Sequence, residues 1–223
     1  FTGQIVCGHS CSLSTQPSEV AAATIAAVKA VNIGIVSLPL CNLYLQDRPD
    51  APTHRTTYTP RYRGVTLIKE LHQAGIPVAV ASDNCRDPFH AYGDHDGLEV
   101  YKLSTRIAQL DHPWGDWPRV NTRTAADLMG LDLGRIGVGR SADLILFKAR
   151  SLNELMARSQ SDRRVLRQGQ PIDTTLPDYA ELDELLGIPA WYWVRSWVCG
   201  VRRSTHTRHC PPIDDTGAEA DPH

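Results

Sequence analysis

Hydrophobic positions follow two rhythms along this chain. Short, nearly unbroken apolar runs at residues 4–8, 33–38 and 76–81 have the length and β-branched content of strands, and the second is apolar enough to be covered on both faces. Between them, apolar residues recur at helical spacing. Val20, Ile25, Val28 and Val31 mark a helix over 20–31. Pro17 and Glu19 suit its first turn, because proline needs no N–H partner there and an acid meets the positive end of the dipole. Asn32 and Gly34 break it, and Pro39 stops the strand that follows. Val65, Ile68 and Leu71 mark a second helix over 65–74, with Gly75 as its C-cap. Strand, helix, strand, helix, strand, with connections long enough for crossovers, predicts a parallel sheet of the α/β class, either barrel or doubly wound. No Gly-x-Gly-x-x-Gly follows a strand; His9-Ser10-Cys11-Ser12 stands at the first candidate position, which counts against a dinucleotide fold.

The remaining stretches are less periodic. Residues 10–16 read as a polar turn. Residues 40–63, with Pro49, Pro52 and Pro60, form a connection longer than usual, read as a functional lid or subunit contact on one view and as a plain surface excursion on the other. A helix is predicted over 97–110 with Leu98, Val100, Leu103 and Ile107 inward, and another over 122–131 after a Pro/Trp-rich loop at 111–118. A Gly-rich turn at 133–142 leads into a short β-run ending at Phe147, and 164–172 reads as a hairpin closing a small sheet. After Leu186 the character changes: Trp191, Tyr192, Trp193 and Trp197 cluster, and polar residues dominate to the end.

Composition narrows the function classes. The chain has 223 residues, enough for one large domain or one and a half small ones, and a net charge of −2. No basic patch argues for nucleic acid, and no apolar run is long enough for a membrane span. The six cysteines show no disulfide pattern. Cys7, Cys11, Cys41 and Cys85 lie in or beside apolar runs where free buried thiols are common, so the expected compartment is the reducing cytoplasm. Phe1 is not an initiator methionine and no signal peptide is expected.

Asp83 ends the third apolar run. An acid at the carboxyl end of a buried strand is where barrel enzymes keep their chemistry, although aspartate also simply ends strands and starts turns. His90, His95, Asp94 and Asp96 form a second polar cluster, read as a solvated loop over the barrel mouth. Arg61 and Arg63 read as surface charge, with an anion or acidic partner as the alternative. Cys199, His206, His209 and Cys210 match no standard zinc spacing.

Several motifs carry a resemblance. Ile136-Gly137-Val138-Gly139-Arg140-Ser141-Ala142-Asp143-Leu144 resembles the signature with which amidohydrolase-superfamily chains re-enter their small β-sandwich. Val6-Cys7-Gly8-His9, Leu43-Tyr44-Leu45-Gln46-Asp47-Arg48, Arg61-Tyr62-Arg63-Gly64-Val65-Thr66 and Ala81-Ser82-Asp83-Asn84-Cys85-Arg86-Asp87-Pro88-Phe89 resemble the second half of a cytosine deaminase barrel. The resemblance runs from about Gln4 to Leu185. It implies a partial (β/α)8 TIM-type barrel, about strands 6–8, over 1–132, part of a small β-sandwich over 133–186, and an irregular tail over 187–223 that is foreign to the family.

The resemblance also implies roles. Asp83 matches the acid after the last barrel strand, which binds the catalytic metal and shuttles a proton from metal-bound water. His9 matches the histidine after the sixth strand, which contacts the hydrolytic water in mononuclear members and is a metal ligand only in binuclear ones. Asn84 stands where bacterial cytosine deaminases can carry a second Asp beside the substrate amino group, and Phe89 where they can carry Trp packing near the base. The family's His-x-His and its His with a nearby Glu are not in this sequence, so the implied chain is the C-terminal half of an enzyme with an incomplete ligand set. The implied cofactor is one divalent metal, Zn2+ or Fe2+, able to lower the pKa of bound water to about 7. The expected reaction is hydrolytic deamination of cytosine to uracil and ammonia in pyrimidine salvage, with a homo-oligomeric parent. The alternatives are an amidohydrolase acting on another cyclic amidine, isocytosine or creatinine, and an inactive remnant or assembly partner. The small zinc-deaminase class that edits nucleic acids needs H-x-E with P-C-x-x-C, and no P-C-x-x-C occurs.

Overall fold

The computed structural model describes residues 3–48, 59–62, 64–113 and 115–189. The three apolar runs form a parallel sheet in the order β1-β2-β3, with β1 at Ile5–Gly8, β2 at Ile33–Ser37 and β3 at Val78–Val80. Ile5 lies opposite Ile33 and Gly8 opposite Val36; Ile35 lies opposite Val78 and Ser37 opposite Val80. Helix α1 (Ser18–Ala30) connects β1 to β2, and α3 (Ile68–Gln73) precedes β3. Ile35, Val78 and Val80 join Ile68, Leu71, Val100 and Tyr101 in the core. Burying each such aliphatic side chain contributes roughly 1.5–3 kcal/mol. The two-residue period of the strands sends Val6, Val36, Ala79 and Ala81 to the other face, where they line a cleft of about 580 Å³. Among the described residues no helix is long and apolar enough to cross a membrane.

The helices correct the sequence expectations in detail. In α1 the buried residue is Ala21, with Ile25 and Val28 half-buried, whereas Val20 and Val31 are exposed. The helix meets the core through Ala21, Ile25 and Val28, a stripe at i, i+4 and i+7, so two of the four expected positions face inward and the terminal Val20 and Val31 do not. Val65 lies before α3. That helix ends in a Schellman motif in which Gly75 N–H donates to His72 O at 2.9 Å and Ile76 N–H to Leu71 O at 3.1 Å, with Gly75 at φ 74. Residues 10–16 are not a plain turn: Cys11–Thr15 forms a short 3-10 helix.

The stretch from residue 40 was expected to be loop, yet Pro39–Leu45 is helix α2, with Pro39 in its first turn and Pro39, Leu40, Cys41 and Asn42 buried. Proline stops the strand and starts a helix in one step. Residues 49–58 and Arg63 lie outside the described residues, as does everything after residue 189, including Cys199, His206, His209, Cys210 and the Trp191, Tyr192, Trp193 and Trp197 cluster.

Helix α4 (Gly97–Ala108) begins at Asp96, whose carboxylate accepts from Leu98 N–H. Of the expected Leu98, Val100, Leu103 and Ile107, Val100 is buried and Leu103 packs half-buried against the core, while the rest of the buried face is Tyr101, Ser104 and Thr105. Ser104 and Thr105 can be buried because their hydroxyls donate to Val100 O and Tyr101 O at 2.7 and 2.8 Å. Helix α5 (Arg123–Leu128) is shorter than expected, and Met129 and Leu131 beyond it are exposed. The expected small sheet is antiparallel, with β4 at Leu144–Leu146, β5 at Arg164–Arg167 and β6 at Gln170–Pro171. Gln168 and Gly169, at φ 50 and 79, make the tight turn between β5 and β6. Helix α6 (Leu152–Ala157), absent from the sequence reading, starts at Ser151, whose hydroxyl accepts from Glu154 N–H.

β1 is an edge strand among the described residues, and Ile5 and Val6 are each 41% exposed. One further expectation fails on burial. Of the four free thiols expected to be buried, only Cys41 is; Cys7 is exposed, and Cys11 and Cys85 are half-buried. The backbone clusters into two units, Phe1–Asp173 and Thr174–His223. In the second, Asp178 and Glu181 form a capping box ahead of α7 (Asp183–Leu186), which closes on Gly187 at φ 66.

Candidate functional site

The carboxyl ends of β1, β2 and β3 converge on one cluster. The ladder continues one residue past each outer strand: His9 N–H donates to Val36 O at 3.0 Å and Ala81 N–H to Ser37 O at 3.1 Å. His9 and Asp83 therefore flank the end of β2. Their strands lie about 10 Å apart through β2, yet His9 Nε2 and Asp83 Oδ2 stand 3.6 Å from each other. Both residues are left-handed, at φ 62 and φ 68, and Ser10 follows at φ 50. Such a conformation costs a non-glycine residue on the order of 1 kcal/mol or more and collects at functional sites. It turns the chain off the strand line at the point where each side chain is presented.

The third member was not singled out in the sequence. Asn42, in α2 directly after β2, is 3% exposed, and its Nδ2 lies 3.1 Å from His9 Nδ1. The signal that could have found it is Pro39 followed by Leu40, Leu43 and Leu45, a helix start with an apolar stripe. Below the cluster the cleft includes Asp83 and His95 among its lining residues. His95 reaches back to Asp83, with Nε2 3.0 Å from its carbonyl oxygen.

Polar atoms without a protein partner gather here. Of the six buried side-chain atoms lacking a hydrogen bond among the described residues, Ser37 Oγ, Asn42 Oδ1, Ser82 Oγ and Asp83 Oδ2 belong to the ends of β2 and β3 or the residues just after them. Each such atom costs roughly 1–3 kcal/mol unless something binds it. This concentration is the physical mark of a ligand-facing rim. Asp83 Oδ2, a hard anionic oxygen held without a donor, fits one position of a divalent metal ion. No three His, Cys, Asp or Glu side chains gather into a metal site among the described residues, so the remaining positions are not supplied here.

The loop after Asp83 is tied internally. Asn84 Nδ2 donates to Asp87 Oδ2 at 2.6 Å, and Asp87 Oδ1 accepts from Phe89 N–H and His90 N–H, each at 2.9 Å. The Asn84 bond first, and the two backbone donors after it, hold the Asp87 carboxyl below the usual aspartate range. Phe89 is 61% exposed, while its carbonyl accepts from the Cys41 thiol at 3.9 Å. Burial above all, then the hydrogen bond and charge of Asp83 and the charge of Asp87, pushes the Cys41 thiol up to about 12.

The second polar cluster divides by role. His90 is buried against Tyr44, with ring centroids 5.5 Å apart, and Asp94 pairs with Arg86. Asp96 caps α4 and takes two bonds from Arg163, at 2.8 and 2.7 Å. The bond from Arg163, above all, keeps the Asp96 carboxyl below its ordinary range, and Asp96 raises the Arg163 guanidinium. Arg61 is placed by its backbone N–H, which donates to Asp47 Oδ2 at 2.7 Å.

Pterin deaminase from Rhizobium rhizogenes is 54% identical over 188 residues, which cover 84% of this chain and 42% of the relative. The 5-methylcytosine deaminase from Klebsiella pneumoniae, solved with 5-fluorocytosine, matches with a TM-score of 0.62 at 23% identity, over 78% of this chain and 41% of its own. An adenosine deaminase from Xanthomonas campestris with bound zinc matches with a TM-score of 0.54 at 19% identity, over 88% and 42%. At those identities the structural likenesses speak for the fold alone. The chain spans about two fifths of the length of these relatives. The model described as "Amidohydrolase family" matches residues 6–178, from within β1 to the start of the second unit, and so takes in the whole rim. By that match and the identity to its curated relative, this chain belongs to the amidohydrolase family.

Proposed function

We propose that this chain carries the His9 and Asp83 side of a metal-dependent hydrolytic deaminase acting on the 2-amino-4-oxopyrimidine ring of a pterin. The observation that carries the reading is the 54% identity to a pterin deaminase over 84% of the chain. That ring is an isocytosine, so the reading belongs with a cyclic amidine substrate other than cytosine. The segment then corresponds to strands 6–8 of a (β/α)8 barrel followed by part of a small sandwich, and the ligands it lacks come from the rest of the barrel. A divalent ion, Zn2+ or Fe2+, supplies hydroxide at neutral pH when bound.

The chain's own residues have defined tasks in this reading. Asp83 would give one carboxylate oxygen to the metal side of the site and take the proton of the attacking water on the other. His9 hydrogen-bonds the oxygen that adds to the ring carbon and steadies the charge that develops there. The carbon–nitrogen bond then breaks, and the amino group takes up the proton held by Asp83 and leaves as ammonia. Asn84, whose Nδ2 donates to Asp87 and whose Oδ1 accepts from the Cys41 thiol at 3.7 Å, keeps a second lone pair on that oxygen for the substrate amino group. The exposed Phe89 ring offers an apolar face for the base to pack on.

The test is a chimera in which residues 6–178 replace the matching segment of the Rhizobium pterin deaminase. Ammonia release is followed with pterin, isocytosine, cytosine, creatinine and guanine. Turnover of pterin ahead of cytosine is expected. A folded, metal-loaded chimera that prefers cytosine would return the substrate to the pyrimidine class. One that turns over none of them would mark the segment as an inactive remnant.

A further inference from the structure

We infer that Asn42 is a positioning residue that holds neutral His9 with its proton on Nε2, so that His9 meets the reacting oxygen as a hydrogen-bond donor and not as a metal ligand through that nitrogen. The inference rests on the role given to His9 above and decides between the two roles the family offers that position.

The amide of Asn42 is fixed by its element. Its backbone N–H donates to Leu38 O at 3.0 Å, and its carbonyl accepts from Gln46 N–H at 2.9 Å. Gln46 in turn reaches Cys11 Sγ at 3.5 Å, tying α2 to the short helix that follows His9. From this buried position Nδ2 faces His9 Nδ1 at 3.1 Å. An amide N–H can only donate, so Nδ1 must present its lone pair. In a neutral imidazole the other nitrogen then bears the hydrogen. That nitrogen is Nε2, 3.6 Å from Asp83 Oδ2 at the open rim.

A metal-ligating histidine is normally supported the other way round. Its free ring N–H donates to a carboxylate or carbonyl, which leaves the ligating nitrogen its lone pair. At His9 the supporting group is a donor. Asn42 thus selects the hydrogen-bonding role, and Asp83 is left as this segment's metal-side group. The carbonyl oxygen of the same amide, Oδ1, is buried without a hydrogen-bond partner among the described residues.

The test reads the tautomer directly. The full chain is labelled with 15N-histidine, and long-range proton–nitrogen correlations are recorded at about pH 8.5, where an ordinary imidazole is neutral. The wild type is expected to carry hydrogen on Nε2 of His9. Asn42→Asp replaces the donor with an isosteric acceptor and is expected to move that hydrogen to Nδ1, with the other histidines unchanged. Asn42→Leu removes the partner and is expected to give both forms. If the Asp variant does not fold, the Leu variant decides, and an unaltered single tautomer there overturns the inference. Hydrogen on Nδ1 in the wild type, or an unaltered tautomer in a folded Asp variant, also overturns it. The measurement contains neither metal nor substrate, so its failure leaves the deaminase reading standing. An inactive chimera would sink that reading without touching the tautomer.

Discussion

The bond between Asp96 and Arg163 should behave as one cooperative unit holding the base of the loop that follows Asp83. Asp96 comes directly after His95, whose ring holds the Asp83 carbonyl, and Arg163 reaches it from just before β5. Both side chains are about three-quarters buried, at 28% and 27% exposure, and the contact is bidentate. That places it between an exposed pair, worth up to about 1 kcal/mol, and a buried pair, whose breaking costs about 3–5. Arg163→Met should cost about 2 kcal/mol. Asp96→Asn should cost about the same, since asparagine still caps α4, and Asp96→Ala about 3 because the cap is lost as well. The double variant Asp96→Asn/Arg163→Met should cost about 2 kcal/mol and not about 4, because the second substitution removes nothing further. Urea unfolding of the full chain at pH 7 measures all four. The sign with pH follows from the depressed Asp96 carboxyl. Its contribution is fully present above the ordinary aspartate value, near 3.9, and is lost as pH falls through the lower folded value. The gap between wild type and Arg163→Met should close over that acid window. Single costs that add within about 0.5 kcal/mol would refute the coupling.

Two further outcomes follow from the same loop. With its thiol pushed up to about 12, Cys41 should stay unmodified by iodoacetamide at pH 8 while exposed Cys7 reacts, as peptide mapping would read; labelling of Cys41 at the rate of Cys7 in folded protein would contradict its burial beside Asp83. A Cβ at Gly93 would overlap the Asn84 carbonyl and lie 2.9 Å from His90 Nδ1 and 3.0 Å from Cys85 Cα, so Gly93→Ala should lower stability by about 2 kcal/mol; an unchanged urea midpoint would show that the loop is free to shift.

What could be read in the sequence is what short-range periodicity records. The runs around Ile5, Ile35 and Val78 are strands, and they pair in parallel because helices separate them. His9 and Asp83 stand out because each ends such a run. Pairing them required the register across β2, which no local pattern contains. Asn42 was hidden by Pro39, whose residue type signals an end as readily as a beginning. Asp96 looked like loop charge because its partner Arg163 is 67 residues away. Val100 was legible on the buried face of α4, but Ser104 and Thr105 were not, because they satisfy their hydroxyls on their own helix and so behave as core.

The account turns on Asp83 as the acid of the site. In the chimera that carries residues 6–178 within the Rhizobium pterin deaminase, ammonia release from pterin would be compared between Asp83 and Asp83→Asn. The account predicts a folded variant with activity lowered by roughly 100-fold or more, because the amide cannot take the proton of the attacking water. An Asp83→Asn chimera as active as its parent would show that this acid merely ends a strand.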